Sequence, residues 1–306
     1  MPQWASPADP RNGQVPLGQL PAVVELEEGV IRLVAPNPSV MTLDGTNTYV
    51  IYGRDGGAYL VDPGPSAPEH LRAVEAVIGA QKLTPKGLIL THHHIDHSEA
   101  AHAWSSLFDI PIYAGVLDDP DRAGALLEDG DRIEVDGQTI TAVSTPGHTS
   151  DHICLMVSSG RLLTGDHVLG RGTSVVAYPD GDLRHYVASL LKISRLGFRG
   201  VYPGHGPELD EATAPAVVEY YLGHRLFRLG QVIGILEEKA LPVGDVVQQI
   251  YAGSVPQQAL FAAELSTRAA LDFLVRTGYV TADPAGSLYS LSGKDTSLLP
   301  GELNAL

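Results

Sequence analysis

The chain holds one cysteine, Cys154, in 306 residues, 20 Lys and Arg against 36 Asp and Glu, and no run of eighteen apolar residues. A lone thiol forms no internal disulfide, and its place in the apolar run from Ile153 to Val157 assigns it to the core as an inert side chain. The lack of other thiolates argues against a purely structural zinc site built on cysteine. With a formal net charge of −16 the surface repels polyanions at long range, which counts against gripping nucleic acid, duplex above all, by counterion release. No basic start followed by an apolar stretch marks a secretory signal and no segment is apolar for long enough to span a bilayer, so the expected location is the cytoplasm.

What the chain has in abundance is ligand chemistry at one place. Thr91-His92-His93-His94-Ile95-Asp96-His97-Ser98 sets four imidazoles and a carboxylate directly after the apolar run Gly87 to Leu90. In an extended segment residues two apart share a side, so His92 and His94 converge on one ion while His93 points away. Asp96 and His97, where the chain turns out of the strand, meet a second. Imidazole with a few carboxylates suits zinc, and also iron or manganese. Three later turns each carry one more donor beside glycine: Pro146-Gly147-His148, Gly165-Asp166-His167 and Pro203-Gly204-His205-Gly206.

In chain order, residues 1–20 read as a flexible lead-in carrying Pro2, Pro7, Pro10 and Pro16. Strands are expected at Val23 to Leu26, Val30 to Val34, Thr46 to Tyr52, Ala58 to Val61 and Leu88 to Thr91. Ser66 and Glu69 fit a capping box opening a helix to about Ala80, and a second helix spans Ser98 to Leu107. Asp136-Gly137 and Ser158-Ser159-Gly160 signal two hairpins. A helix from about Leu183 to Leu196 and a strand at Gly200 to Tyr202 lead to His205. Residues 208–306 hold twelve acids and six bases and read as three helices, Ala214 to Lys239, Val243 to Tyr251 and Gln257 to Thr277, then a hairpin around Asp283-Pro284-Ala285-Gly286. Three helices and a hairpin resemble a winged helix. The expected organisation is a metal-binding domain over 21–212 and a helical domain over 213–306.

The donors together resemble the metallo-β-lactamase superfamily, whose signature is His-x-His-x-Asp-His followed by a His, a bridging Asp and a final His. Thr42 to Tyr49, Gly165 to Thr173 and the segment from Tyr221 to Arg225 narrow the resemblance to the β-lactamase-like protein 2 group, over about residues 28–291. The resemblance implies an α/β chain of α+β type, folded as an αββα sandwich with a winged-helix-like C-terminal domain. By it, His92, His94 and His148 hold one zinc, Asp96, His97 and His205 a second, and Asp166 bridges. His93, His102, His152 and His167 fall outside that set.

The implied activity is a dinuclear zinc hydrolase cleaving an ester, thioester, lactam or phosphodiester bond, with Asp96 as the proton-handling residue. Asp62 is the expected partner of a ligand imidazole; Thr149, Thr173, His224 and Arg225 are candidate substrate contacts. Family likeness implies cleavage of single-stranded RNA, while the acidic balance favours a small-molecule substrate, which is ranked first. A third reading is an oxidoreductase with one iron, resembling persulfide dioxygenases. A predicted recognition helix whose bases are Arg268 and Arg276 argues against duplex binding, leaving dimerisation or covering of the cleft to the C-terminal domain.

Overall fold

Apolar residues at alternate positions on both faces of most strands require a sheet covered on both sides. The computed structural model describes residues 5–11, 14–116 and 123–306. Its first sheet runs in chain order through β1 (Val23–Glu27), β2 (Val30–Val34), β3 (Asn47–Tyr52), β4 (Gly57–Val61), β5 (Thr84–Ile89), β6 (Ile112–Ala114) and β7 (Ala123–Leu126). The first four strands pair antiparallel and the last four parallel. The second sheet comprises β8 (Arg132–Val135), β9 (Gln138–Ser144), β10 (Ile153–Val157), β11 (Leu162–Gly165) and β12 (Val201–Pro203), in the order β12-β11-β10-β9-β8. Both predicted hairpins are present, β8 with β9 and β10 with β11.

Strand alternation sorts the core into three apolar clusters. Val30, Ile51 and Val61 of the first sheet meet Ile140, Ile153 and Leu155 of the second. One residue along, Ile31, Val50 and Leu60 face outward with Val74 of α1 (Pro68–Gln81) and Trp104 of α3 (Ala101–Phe108). Likewise Val143, Cys154 and Leu162 pack with Leu190 of α4 (Leu183–Ser194). The layers are therefore helix, sheet, sheet, helix. Cys154 is fully buried, and burial pushes its thiol up to about 12, so it is inert as expected.

The C-terminal elements are α5 (Ala214–Leu236), α6 (Val243–Tyr251), α7 (Leu260–Arg276), the hairpin β13 (Val280–Ala282) with β14 (Tyr289–Leu291), and a short α8 (Leu299–Asn304). Leu229, Val246, Leu271 and Leu303 join the same cluster as Cys154. Of the predicted lead-in, residues 1–4, 12 and 13 lie outside the described residues. Beyond them, Arg11 donates to the Leu169 carbonyl at 3.0 Å and Gln14 to the Gly170 carbonyl at 2.6 Å.

Two local expectations are corrected. The Ser66 to Glu69 capping box does not form: the N-cap of α1 is Ala67 with no side-chain bond, Pro68 fixes the first helical position, and the Ser66 amide donates to the Glu99 carboxylate at 2.8 Å. The helix expected over Ser98 to Leu107 begins three residues later, as α3, and a separate one-turn helix, α2 (Ile95–Ser98), precedes it. The break falls at Ala100, whose amide leaves the helical ladder for the Gly64 carbonyl at 3.1 Å.

Candidate metal centre

All seven sequence-predicted donors converge where strand ends of both sheets meet. His94 Nδ1 lies 3.1 Å from His92 Nε2 and 3.0 Å from His148 Nε2. His205 Nε2 lies 3.2 Å from His97 Nε2, 3.2 Å from Asp96 Oδ2 and 3.3 Å from Asp166 Oδ1. Asp166 stands between the groups, with Oδ2 3.7 Å from His148 Nε2 and Oδ1 3.4 Å from His97 Nε2. His92, His94, His148 and Asp166 thus form one set of donor atoms mutually within 4.8 Å, and Asp96, His97 and His205 a second.

The outer nitrogens decide what the inner ones offer. His148 Nδ1–H donates to the Val175 carbonyl at 2.6 Å, His205 Nδ1–H to the Gly45 carbonyl at 3.2 Å and His97 Nδ1–H to Asp62 Oδ2 at 2.9 Å. Each bond fixes the tautomer that leaves the Nε2 lone pair pointing inward. Asp62 serves both groups, because its Oδ2 also accepts from Thr91 Oγ1 at 2.7 Å, which lies 3.0 Å from His92 Nδ1. Inward-facing imidazole nitrogens 3.0 to 3.2 Å apart, with the buried Asp166 carboxylate between the two groups, fit a cation.

Electrostatics divide the imidazoles in the same way. Burial and neighbouring rings hold His92 well below its ordinary range and pull His94 down to about 4. Burial acts on His205 too, but Asp166 and Asp96 outweigh it and raise the ring to about 9; His97 is raised by Asp166 and Asp62 against the same burial. Asp166 and Asp96 are lowered despite burial, chiefly by His205 and His97.

Glycines make the approach possible. At Gly147, φ is +135° and an added Cβ would stand 2.2 Å from the Tyr186 backbone nitrogen; at Gly204 it would stand 2.7 Å from Asp166 Oδ1. Asn47 Nδ2 clamps the His205 turn by donating to the Pro203 and Gly206 carbonyls at 2.8 and 2.9 Å.

Outside the inner set, His93 is exposed and donates to Asp151 Oδ1 at 2.9 Å, and His102 lies exposed on α3. His152 and His167 are buried in a layer behind His92, with ring centroids 5.8 Å apart, and burial keeps both neutral. Thr149 is buried with its hydroxyl unpartnered. Thr91, Val175 and Gly45, which hydrogen-bond the clustered rings, were not singled out from sequence; a hydroxyl beside His92 is a readable signal, whereas a backbone carbonyl from a distant turn carries none.

A cavity of about 640 Å³ opens on the cluster at His94, Asp96, His148, Asp166 and His205. Val40, Met41, Leu169, Tyr251 and Phe261 supply much of its wall, and Thr173, His224 and Arg225 line it as well.

A two-sheet sandwich covered by helices, with a cup of imidazoles and carboxylates at its rim, defines a divalent-metal protein of the αββα class. The chain belongs to the metallo-beta-lactamase superfamily, whose family model matches residues 41–205. It is 34% identical over 267 residues to a beta-lactamase-like protein 2 homolog of Caenorhabditis elegans, covering 84% of this chain and 88% of that one. The lactamase-like protein vrtG of Penicillium aethiopicum is 35% identical over 257 residues, 79% of each chain. In fold the chain is similar to a metallo-beta-lactamase family protein from Thermus thermophilus, with TM-score 0.73, 21% identity and coverage of 87% of this chain and 100% of that one.

Proposed function

We propose that the chain is a metal-dependent hydrolase of small substrates, cleaving an ester, thioester or lactam bond at two zinc ions. His92, His94 and His148 would hold one ion, Asp96, His97 and His205 the other, with Asp166 shared. Bound there, the ions supply Lewis-acid polarisation and a water acidified toward neutrality. The observation that carries the reading is the cavity: a volume of about 640 Å³ with largely apolar walls suits a small organic acyl group better than a polyanion.

The protein's own part is positioning and proton handling. Asp96 has a side chain 27% exposed, whereas those of His97 and His205 are 0% and 1% exposed, and it borders the cavity. It is therefore the group placed to take a proton from the attacking water and to return one to the leaving group. Val40, Met41 and Leu169 give the cavity beside the cluster an apolar wall against which an acyl chain would pack. Helices α5 and α7, the core of the proposed winged-helix-like domain, supply His224, Arg225 and Phe261 to the cavity, which supports a cleft-covering role.

The test is a panel of esters, thioesters, lactams and labelled single-stranded RNA offered to zinc-loaded protein, with metal content measured alongside. Turnover of the small substrates, abolished by chelation, is expected. Cleavage of RNA alone would replace this reading with the endoribonuclease one. About one iron per chain with oxygen uptake on a persulfide would replace it with the oxidoreductase one.

A further inference from the structure

The cavity wall contributed by α5 carries a charge that the metal chemistry leaves unused. Arg225 is 5% exposed, its Nη2 donates to the Ser174 carbonyl at 2.5 Å, its guanidinium carbon lies 4.6 Å from the Tyr186 ring centroid, and its Nε is buried without an acceptor. One turn on, Arg228 donates from Nε to His224 Nε2 at 3.3 Å and from Nη1 to Gln231 Oε1 at 2.7 Å, and lies 4.7 Å from the Tyr251 ring centroid. Accepting at Nε2 makes neutral His224 the Nδ1–H tautomer, and that Nδ1 is also buried with no partner. Burial, reinforced by Arg225 and Arg228, keeps the ring neutral by pulling it down to about 3.

Two guanidinium-bearing side chains therefore line one cavity, two N–H groups of the same cluster are buried beneath its surface without acceptors, and among the described residues neither arginine has a carboxylate partner in a chain with 36 acids to 20 bases. A buried cation without counter-charge is expensive, and a guanidinium fork matches the paired oxygens of a carboxylate or phosphate. We infer that Arg225, Arg228 and His224 form an anion subsite, and that the substrate is two-ended: its scissile acyl group meets the His and Asp cluster while a carboxylate or phosphate at its other end meets α5. This deepens the proposed function and rests on its placement of the scissile bond. A purely structural clamp, in which Arg225 merely ties α5 to the turn after Asp166, would be indifferent to the charge of a ligand.

Isothermal titration of zinc-loaded protein with straight-chain hydroxamates of increasing length, ending in a carboxylate, a phosphate or a neutral carboxamide, separates these. At the best length the anionic ends bind at least about tenfold more tightly than the carboxamide; the ratio between carboxylate and phosphate identifies the anion. Arg228→Gln, at a half-buried position, reduces the preference to less than about threefold, while Arg228→Lys keeps part of it. A carboxamide that binds as well as the anions at every length, no measurable binding of either anion, or a preference that survives both Arg228→Gln and Arg225→Gln overturns the subsite. So does an equal loss for charged and neutral ligands in a variant whose melting temperature is unchanged. Because binding is read without turnover, a protein that hydrolyses none of the panel yet keeps the anion preference sinks only the hydrolase assignment.

Discussion

Asp62 has φ +51°, an unfavourable conformation for a residue with a Cβ, and this bend at the end of β4 turns its carboxylate toward Thr91 and His97. One side chain thereby sets the tautomer of His97 directly and borders His92 through a hydroxyl. Asp62→Asn is expected to weaken zinc binding about 10–100-fold, read by competition with a chelator, because the new amide presents N–H where two donors already point; unchanged affinity would remove this role. Gly147→Ala tests the approach of the His148 turn to α4. An added methyl meets the Tyr186 backbone and a positive φ, so a loss of about 2 kcal/mol or more is expected by calorimetry, and an unaltered melting temperature would contradict it. At this scale the cluster of donors was legible because a dense run of His and Asp has few other uses. Their carbonyl partners at Gly45 and Val175 were not, since those contacts exist only after distant turns have met.

Among the elements, α4 is anchored at its start by Asp182, whose carboxylate accepts from the His185 amide at 2.9 Å and pairs with Arg276 of α7 at 2.5 Å. Burial raises the Asp182 carboxyl, but the His185 amide and Arg276 outweigh it and leave it below its ordinary range. A folded-state value below the unfolded one gives stability that is complete above about pH 4 and is lost as pH falls through the depressed value. Asp182→Asn keeps a capping oxygen but loses the charge that pairs with Arg276, so it is expected to lose about 0.5 kcal/mol at pH 7 and to show a shallower acid limb, its denaturation curves meeting the parent's at low pH. Parallel curves for the two proteins at every pH would contradict the pairing. The Ser66 box shows why element ends are harder to read than elements: Ser-x-x-Glu is a local signal, and Glu99 from the turn between α2 and α3 took the Ser66 amide. Short β6 and α8 went unmarked because three to six residues carry too little periodicity to stand out.

For the molecule as a whole, the sandwich was legible through the family resemblance, and the structure shows its physical basis in the apolar run after His152: Ile153 and Leu155 face one core while Cys154 faces the other. The sign of the surface was equally legible, and His224 and Arg225 stood out as candidate substrate contacts, but Arg228 did not, because a net charge of −16 conceals where the few cations gather. No helix among the described residues is long and apolar enough to cross a membrane. If the cluster binds ions only in the folded chain, removing them with chelator lowers the melting temperature, and restoring zinc to about a hundred times its dissociation constant returns about 2.7 kcal/mol. A melting temperature indifferent to chelation would argue that the cup is built from protein bonds alone.

Anomalous scattering at the zinc edge from crystals grown with the metal addresses the centre most directly. Two peaks are predicted, one enclosed by His92, His94 and His148 and the other by Asp96, His97 and His205, with Asp166 touching both. A map empty at the cluster, or one whose only peak lies out at His93 and Asp151, would contradict the account.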